Sequence, residues 1–192
     1  LLEQTTAVGN VSKWEYNLSG QLVKTVDPAD NAILYQYGAD GSTFDGQLIE
    51  KQYPSYAEKY GYNAQGKMIR HEQLLGDMSR VIYSSYDAAG RLAAVIEPGG
   101  QTSQFEYDAF NNITSVIDAL GGKTVFERDM LGKVTSMTNV NGETYRFEYD
   151  KRGNLVREHS PSGAAKEYTY NQINQQVSGK DAAGNIANSH YD

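Results

Sequence analysis

The stretch VFERDMLGKV, Val125–Val134, decides how the chain is read. Twenty-one residues earlier the sequence runs SQFEYDAFNNI (103–113), which sets Phe126 over Phe105, Asp129 over Asp108 and Val134 over Ile113. In that alignment Arg128 stands where its neighbours have tyrosine. The same tyrosine recurs at Tyr86, Tyr107, Tyr149, Tyr170 and Tyr191, so with Arg128 included the interval is 21 residues throughout. Upstream, Tyr16 and Tyr37 keep that interval, whereas Tyr37 to Tyr62 is 25 and Tyr62 to Tyr86 is 24. A fixed period of this length marks a repeat array, with two insertions in its middle.

Other positions keep step with the anchor. Four residues after it stand Gly20, Gly66, Gly90, Gly132 and Gly153, replaced by Asn111 and Asn174 in two repeats. Asparagine is the natural substitute because it tolerates left-handed backbone. Six residues after the anchor come Leu22, Met68, Leu92, Ile113, Val134 and Leu155, and fourteen after it a second glycine series, Gly76, Gly100, Gly121, Gly142, Gly163 and Gly184. Proline enters that second turn at Pro28, Pro98 and Pro161.

Period and turn chemistry give each repeat a shape. FEYD, at 105–108 and 147–150, alternates aromatic with polar residues, as a half-buried strand does. DKRGN (150–154) supplies an aspartate to bond nearby backbone N–H groups and a glycine for positive φ. A second strand, LVREH or LAAVIE, then returns to PSG or PGG, so each repeat is a β-hairpin. About 16 to 18 antiparallel strands follow, and because open sheets rarely exceed about 10 strands without curling, a strip, spiral or partial tube is expected. The fold class is all-β, a single array over residues 1–192 with insertions near 38–46 and 74–78. Within it Gln176 takes the usual leucine position, which predicts a frayed or differently paired strand.

Composition excludes several function classes. Cysteine is absent, which removes disulfides, thiol catalysis and cysteine-based zinc sites. A net charge of −7 without a basic cluster argues against nucleic acid and other polyanions. No apolar run is long enough to span a membrane as a helix, and no signal peptide is expected in this segment.

The anchors read as a ladder of aromatics stacked across strands, each pair contributing about 0.2 to 1 kcal/mol. Arginine joins such a stack because its guanidinium lies flat on rings, so Arg128 is expected as a rung between Tyr107 and Tyr149. The alternative is an exposed arginine that grips a ligand.

The pattern Tyr-x-Tyr-Asp-x-x-Gly-x-Leu, as in FEYDKRGNL and YSSYDAAGRL, followed by EPGG, resembles the YD repeat of Rhs (rearrangement hotspot) proteins. The same repeat occurs in Tc-toxin C components, wall-associated contact-inhibition proteins and teneurins. The resemblance runs from about Trp14 to Asp192 and is specific for the repeat rather than for one parent. It implies a hollow β-shell enclosing a C-terminal toxin, ended by an autoproteolytic aspartate segment; neither that segment nor a toxin is recognisable in these residues. The partners it implies are the remaining repeats and the toxin domain of the parent chain, with export or secretion of that parent.

The chemical candidates point away from catalysis. His71, His159 and His190 fall at different repeat phases, so nothing gathers them. Asp87, Asp108, Asp129, Asp150 and Asp192 form a column that oxygen-loving calcium could use. Hairpins about 10 Å apart are too distant for two such carboxylates to share an ion, so turn-capping is the expectation. Glu97, Asp118, Asn139, Ser160 and Asp181 share one position whose tolerance of Asn and Ser suits turn entry better than acid or base work. No phosphate loop is present. The site expectation is therefore no catalytic, cofactor or metal residue, and structural anchors at Tyr16, Tyr37, Tyr62, Tyr86, Tyr107, Arg128, Tyr149, Tyr170, Gly20, Gly66, Gly90, Gly132 and Gly153.

Two function classes stay open. One is a structural segment of an Rhs-type toxin shell. The other is a carbohydrate-binding or adhesive module that offers Trp14 and rows of tyrosine as platforms for sugar rings, with open sheet edges for self-association. Placement of the tyrosines within the regular pattern favours the shell. The insertions, GADGSTFDG (38–46) and LLGDM (74–78), are expected as enlarged connections, the second lengthened by three residues.

Overall fold

The computed structural model describes residues 2–5, 11–39 and 44–191, and all regular structure among them is β-strand. The strands fall into two compact units, residues 1–102 and 103–192. The first holds β1 (Leu2–Thr5), β2 (Val11–Tyr16), β3 (Leu22–Val26), β4 (Ala32–Tyr37), β5 (Leu48–Gln52), β6 (Ala57–Tyr62), β7 (Met68–Leu75), β8 (Met78–Tyr86) and β9 (Leu92–Ile96). The second begins in β10 (Thr102–Tyr107) and continues with β11 (Ile113–Ile117), β12 (Lys123–Arg128), β13 (Val134–Thr138), β14 (Thr144–Tyr149), β15 (Leu155–His159), β16 (Ala165–Tyr170), β17 (Gln176–Lys180) and β18 (Ile186–Asn188).

In each unit the strands pair antiparallel in chain order, β1 to β9 in the first and β10 to β18 in the second. The fold is thus a run of tandem hairpins, as the period requires. Every hairpin that turns at an anchor carries the same irregularity. In β14 and β15, Glu148 pairs with Arg157 but Tyr149 with Leu155, which leaves Val156 as an extra residue. Such a bulge bends the strand and re-aims the side chain beside it. The opposite turn lacks it: Ser136, Met137 and Thr138 pair with Arg146, Tyr145 and Thr144 without a break.

Two expectations need correction. The insertion at 74–78 does not enlarge the connection. It lengthens the strands, to 8 residues in β7 and 9 in β8, and leaves Gly76 and Asp77 as a two-residue loop between paired Leu75 and Met78. Gly76, with φ 57°, supplies the positive φ that a two-residue hairpin loop needs at its first position. Gln176 also behaves as an ordinary member, pairing with Tyr170 in the register of the other repeats. The insertion at 38–46 lies partly outside the described residues; its described ends close through Gly38 N–H donating to Gln47 O at 2.9 Å.

No hydrophobic side chain among the described residues is buried; only Ser115 and Ser136 are. A domain ordinarily stacks two layers around a core, whereas each unit offers one layer with two solvent-facing sides. Its order rests on ladder hydrogen bonds, capped turns and cross-strand pairs.

Candidate functional site

The anchors form a ladder of hydrogen bonds. The phenol OH of Tyr37 donates to Leu22 O at 3.0 Å, Tyr62 to Leu48 O at 2.7 Å and Tyr86 to Met68 O at 2.9 Å. Tyr149, Tyr170 and Tyr191 donate to Val134 O, Leu155 O and Gln176 O at 2.9, 2.9 and 2.8 Å. The acceptor always opens the strand after the preceding anchor turn. Each ring therefore leans back over the neighbouring strand and ties two hairpins together at the end where no turn joins them. Tyr16 and Tyr107 hold the same strand-end position, Tyr16 exposed and Tyr107 half-buried.

Arg128 meets the requirement of this ladder with different chemistry. Its Nε donates to Ile113 O at 3.2 Å, the bond a tyrosine would make, and its Nη1 donates to Gly132 O at 2.9 Å. The guanidinium carbon lies 5.9 Å from the Phe126 ring centroid. What arginine inherits from the tyrosine anchors is the carbonyl bond, and the ring beside its guanidinium is Phe126, in its own strand. Cations from the preceding turn cover anchor rings instead, Lys67 Nζ 5.3 Å from Tyr86 and Lys133 Nζ 5.4 Å from Tyr149.

Turn chemistry follows the carboxylate column. Asp150 Oδ1 accepts from Arg152 N and Asn154 N at 2.9 Å each, while Oδ2 accepts from Asn154 Nδ2. The Asn154 side chain is the main cause that holds the Asp150 carboxyl below its usual range, and Asn112 does the same for Asp108. Asp118, Asn139 and Asp181 cap the opposite turns in the same way. Gly20, Gly66, Gly90, Gly132 and Gly153 all have φ between 75 and 90°, and Asn111 and Asn174 take φ 68 and 62° in their place. These groups are spent on backbone, which is the work expected of them.

Strand alternation gives each unit two unlike faces. In the second unit Phe105 pairs with Val116, and Phe126 with Met137, which pairs with Tyr145. The opposite face carries ion pairs: Arg157 to Glu167 at 2.8 Å, His159 to Glu148 at 2.7 Å and Lys123 to Glu106 at 3.1 Å. In the first unit the aromatic face holds Trp14, Tyr35 and Tyr60, the residues two before their anchors.

A cluster of titratable groups lies on that face. Glu58 Oε2 accepts from Tyr60 OH at 2.5 Å and from Tyr53 OH at 3.4 Å. His71 stacks on Tyr60 with centroids 5.1 Å apart, and its Nε2 is 3.9 Å from Glu58. Burial first, then Tyr56 and Glu58, push the Tyr53 phenol up to about 12, and burial with Glu58 raises Tyr60 as well. Both phenols stay protonated donors at neutral pH. His159 sits in β15 of the second unit, and His190 lies in the chain past β18.

The sequence reading did not single out Tyr53 and Tyr56. Their rings stack at 4.2 Å with planes 9° apart, and Tyr53 holds the turn-entry position that Asp27 and Asp118 fill elsewhere. A tyrosine where its counterparts are capping residues was the visible signal. The column two before the anchor, with Trp14, Tyr35, Tyr60, Phe105, Phe126 and Phe147, is equally visible in the sequence.

No group of three or more His, Asp or Glu among the described residues is placed to hold a metal ion. Among the described residues no helix is long and apolar enough to cross a membrane. The family model described as RHS Repeat matches residues 86–123 and 128–165. Similar solved structures include a Tc holotoxin pore of Photorhabdus luminescens, 13% identical with a TM-score of 0.42, covering 94% of this chain and 13% of that one. Another is a TcdB2-TccC3 complex, also 13% identical, with a TM-score of 0.39 and covering 94% and 14%. The chain thus spans a small part of the length of either. No curated protein matches it.

Proposed function

Because the chain carries tandem RHS repeats, we propose that it is a structural wall segment of an Rhs-type polymorphic toxin, whose parent chain winds such repeats around a C-terminal toxin domain. The observation that carries this reading is the absence of any buried apolar side chain among the described residues. A single layer with an aromatic face and a salt-bridged face is suited to be a panel: one side faces water, the other is covered by something the parent supplies. Repeated residues support the same view, since anchor phenols tie neighbouring hairpins together while caps and turn glycines close each turn. Partners would be the adjoining repeats, which could pair with an exposed edge such as β18, and the enclosed domain. The parent would be exported by a bacterium, and this segment would have no catalytic role.

Protease protection tests the proposal. In the intact parent the C-terminal domain should resist added protease, and deletion of two whole repeats, residues 108–149, should open the wall and expose it. Equal sensitivity of that domain with and without the repeats would refute the reading.

A further inference from the structure

One turn of the second unit carries a reactive pair that no other turn has. Between β13 and β14, Asn141 stands directly before Gly142, and it is the only asparagine of the chain followed by glycine. Its counterparts in other turns of that kind, Ala29, Leu120, Ser162 and Ala183, carry no side-chain amide. Most of the other turn asparagines are tied down. Asn31, Asn112, Asn154 and Asn185 donate from Nδ2 to the aspartate that caps their own turn. Asn17, Asn63, Asn139 and Asn171 accept backbone N–H groups at Oδ1. Asn141 is exposed, and among the described residues its side chain has no hydrogen-bond partner.

Glycine in the next position removes the obstacle that protects the others. The nitrogen of the following residue is the nucleophile that can reach an asparagine Cγ, and a Cβ on that residue hinders the approach. An added Cβ at Gly142 would meet no atom within 4 Å, so nothing around the turn shields the pair. One restraint is visible. Gly142 N–H donates to Asn139 O at 2.9 Å, and the Asn139 Oδ1 cap holds Asn141 N and Glu143 N at 3.0 Å each. Attack therefore waits for the turn to open, and Asn139 is a positioning residue whose cap sets how often it does so.

We propose that Asn141–Gly142 is a site of spontaneous covalent modification, at which the asparagine amide is exchanged for an acid with water as the co-reactant. Gly142 N gives up its proton to water and bonds to Asn141 Cγ, the Cγ–Nδ2 bond breaks, and ammonia leaves. Water then opens the five-membered imide, at Cγ to give aspartate or at the Asn141 backbone carbonyl carbon to give isoaspartate. Nothing is oxidised or reduced. Aspartate adds a negative charge beside Glu143. Isoaspartate also inserts a methylene into the main chain of a turn that joins paired Thr138 and Thr144, whose hydroxyls are 2.9 Å apart. Loop length fixes hairpin register, so the longer main chain should loosen β13 and β14. The proposal concerns one turn and is independent of the wall-segment reading, so either can fail without the other.

The purified chain is kept in mildly alkaline buffer, and its peptides are weighed at intervals and probed with an isoaspartate-specific methyltransferase. Asn141 should convert ahead of every other asparagine, with isoaspartate among the products and faster amide exchange in β13 and β14 of the converted fraction. Asn139→Ala should accelerate the conversion roughly 2- to 10-fold, the factor for one lost hydrogen bond at the cap. Asn141→Gln should stop it at that turn. Unmodified chain held in denaturant provides a readout that needs no variant, and it should convert faster than the folded chain because no closed turn restrains it. The proposal is overturned if Asn141 stays intact in the folded chain, if the asparagines convert at one common rate, or if neither Asn139→Ala nor denaturant speeds the reaction.

Discussion

Replacing Tyr149 with phenylalanine isolates one rung of the ladder. The ring stays and only the OH that donates to Val134 O at 2.9 Å is lost. A hydrogen bond of this kind contributes about 0.5 to 1.5 kcal/mol net. Water can reach the freed carbonyl in a single-layer sheet, so the lower part of that range applies, about 0.5 to 1 kcal/mol. In a repeat array the effect should stay local, because each hairpin leans on its neighbours. Amide hydrogen exchange is therefore the assay, and opening of β13 to β15 should rise about 2- to 5-fold while β2 to β4 stay unchanged. Tyr170→Phe should act alike on β15 to β17, and the two changes should add because the bonds share no partner. Unchanged exchange in β13 to β15, or a rise spread evenly over the chain, would refute the view that the phenol OH staples adjacent hairpins.

Other expectations follow from the same geometry. Arg128→Met removes both the Ile113 and Gly132 bonds and should lower the thermal midpoint, whereas Arg128→Tyr should recover most of the loss by restoring the Ile113 bond. Gly142→Ala meets no atom within 4 Å, so its cost should be backbone strain alone at φ 79°, about 1 to 2 kcal/mol by chemical denaturation. Asp27, Asp108, Asp150 and Asp181 all have carboxyls held below the ordinary value of 3.8. Groups lowered in the folded state contribute stability above the unfolded value and lose it as pH falls through the folded ones. Circular dichroism should thus show these contributions intact at pH 5 and fading below about 3.9, with a smaller acid loss in Asp150→Asn.

Much of the hairpin array could be read from spacing, because a β-hairpin announces its turns through glycine and capping residues. Gly132 and Asp129 mark one turn, Gly142 and Asn139 the other, and the strands between them have nowhere else to go. Harder to see was what a side chain does once its strand is placed. Arg128 looked like a stacking residue because spacing aligns it with tyrosines, but spacing does not reveal that the anchor's duty is a bond to a carbonyl one strand away. The insertion at 74–78 looked like a loop because extra residues were counted from anchor to anchor, and that count cannot distinguish a longer loop from longer strands. Gln176 showed the reverse: a polar residue pairs as leucine does where neither face is buried, since little is lost by its polarity.

The most direct test of the wall-segment proposal compares the aromatic face in the parent protein with the same face in the isolated repeats. Hydroxyl-radical footprinting of Phe105, Phe126 and Phe147 reads that face, with Tyr16 at an exposed strand end as reference. A panel of a larger shell should show these phenylalanines protected in the parent and labelled in the isolated chain. Equal labelling in both would contradict it, because the face would then be open to water in the whole protein as well.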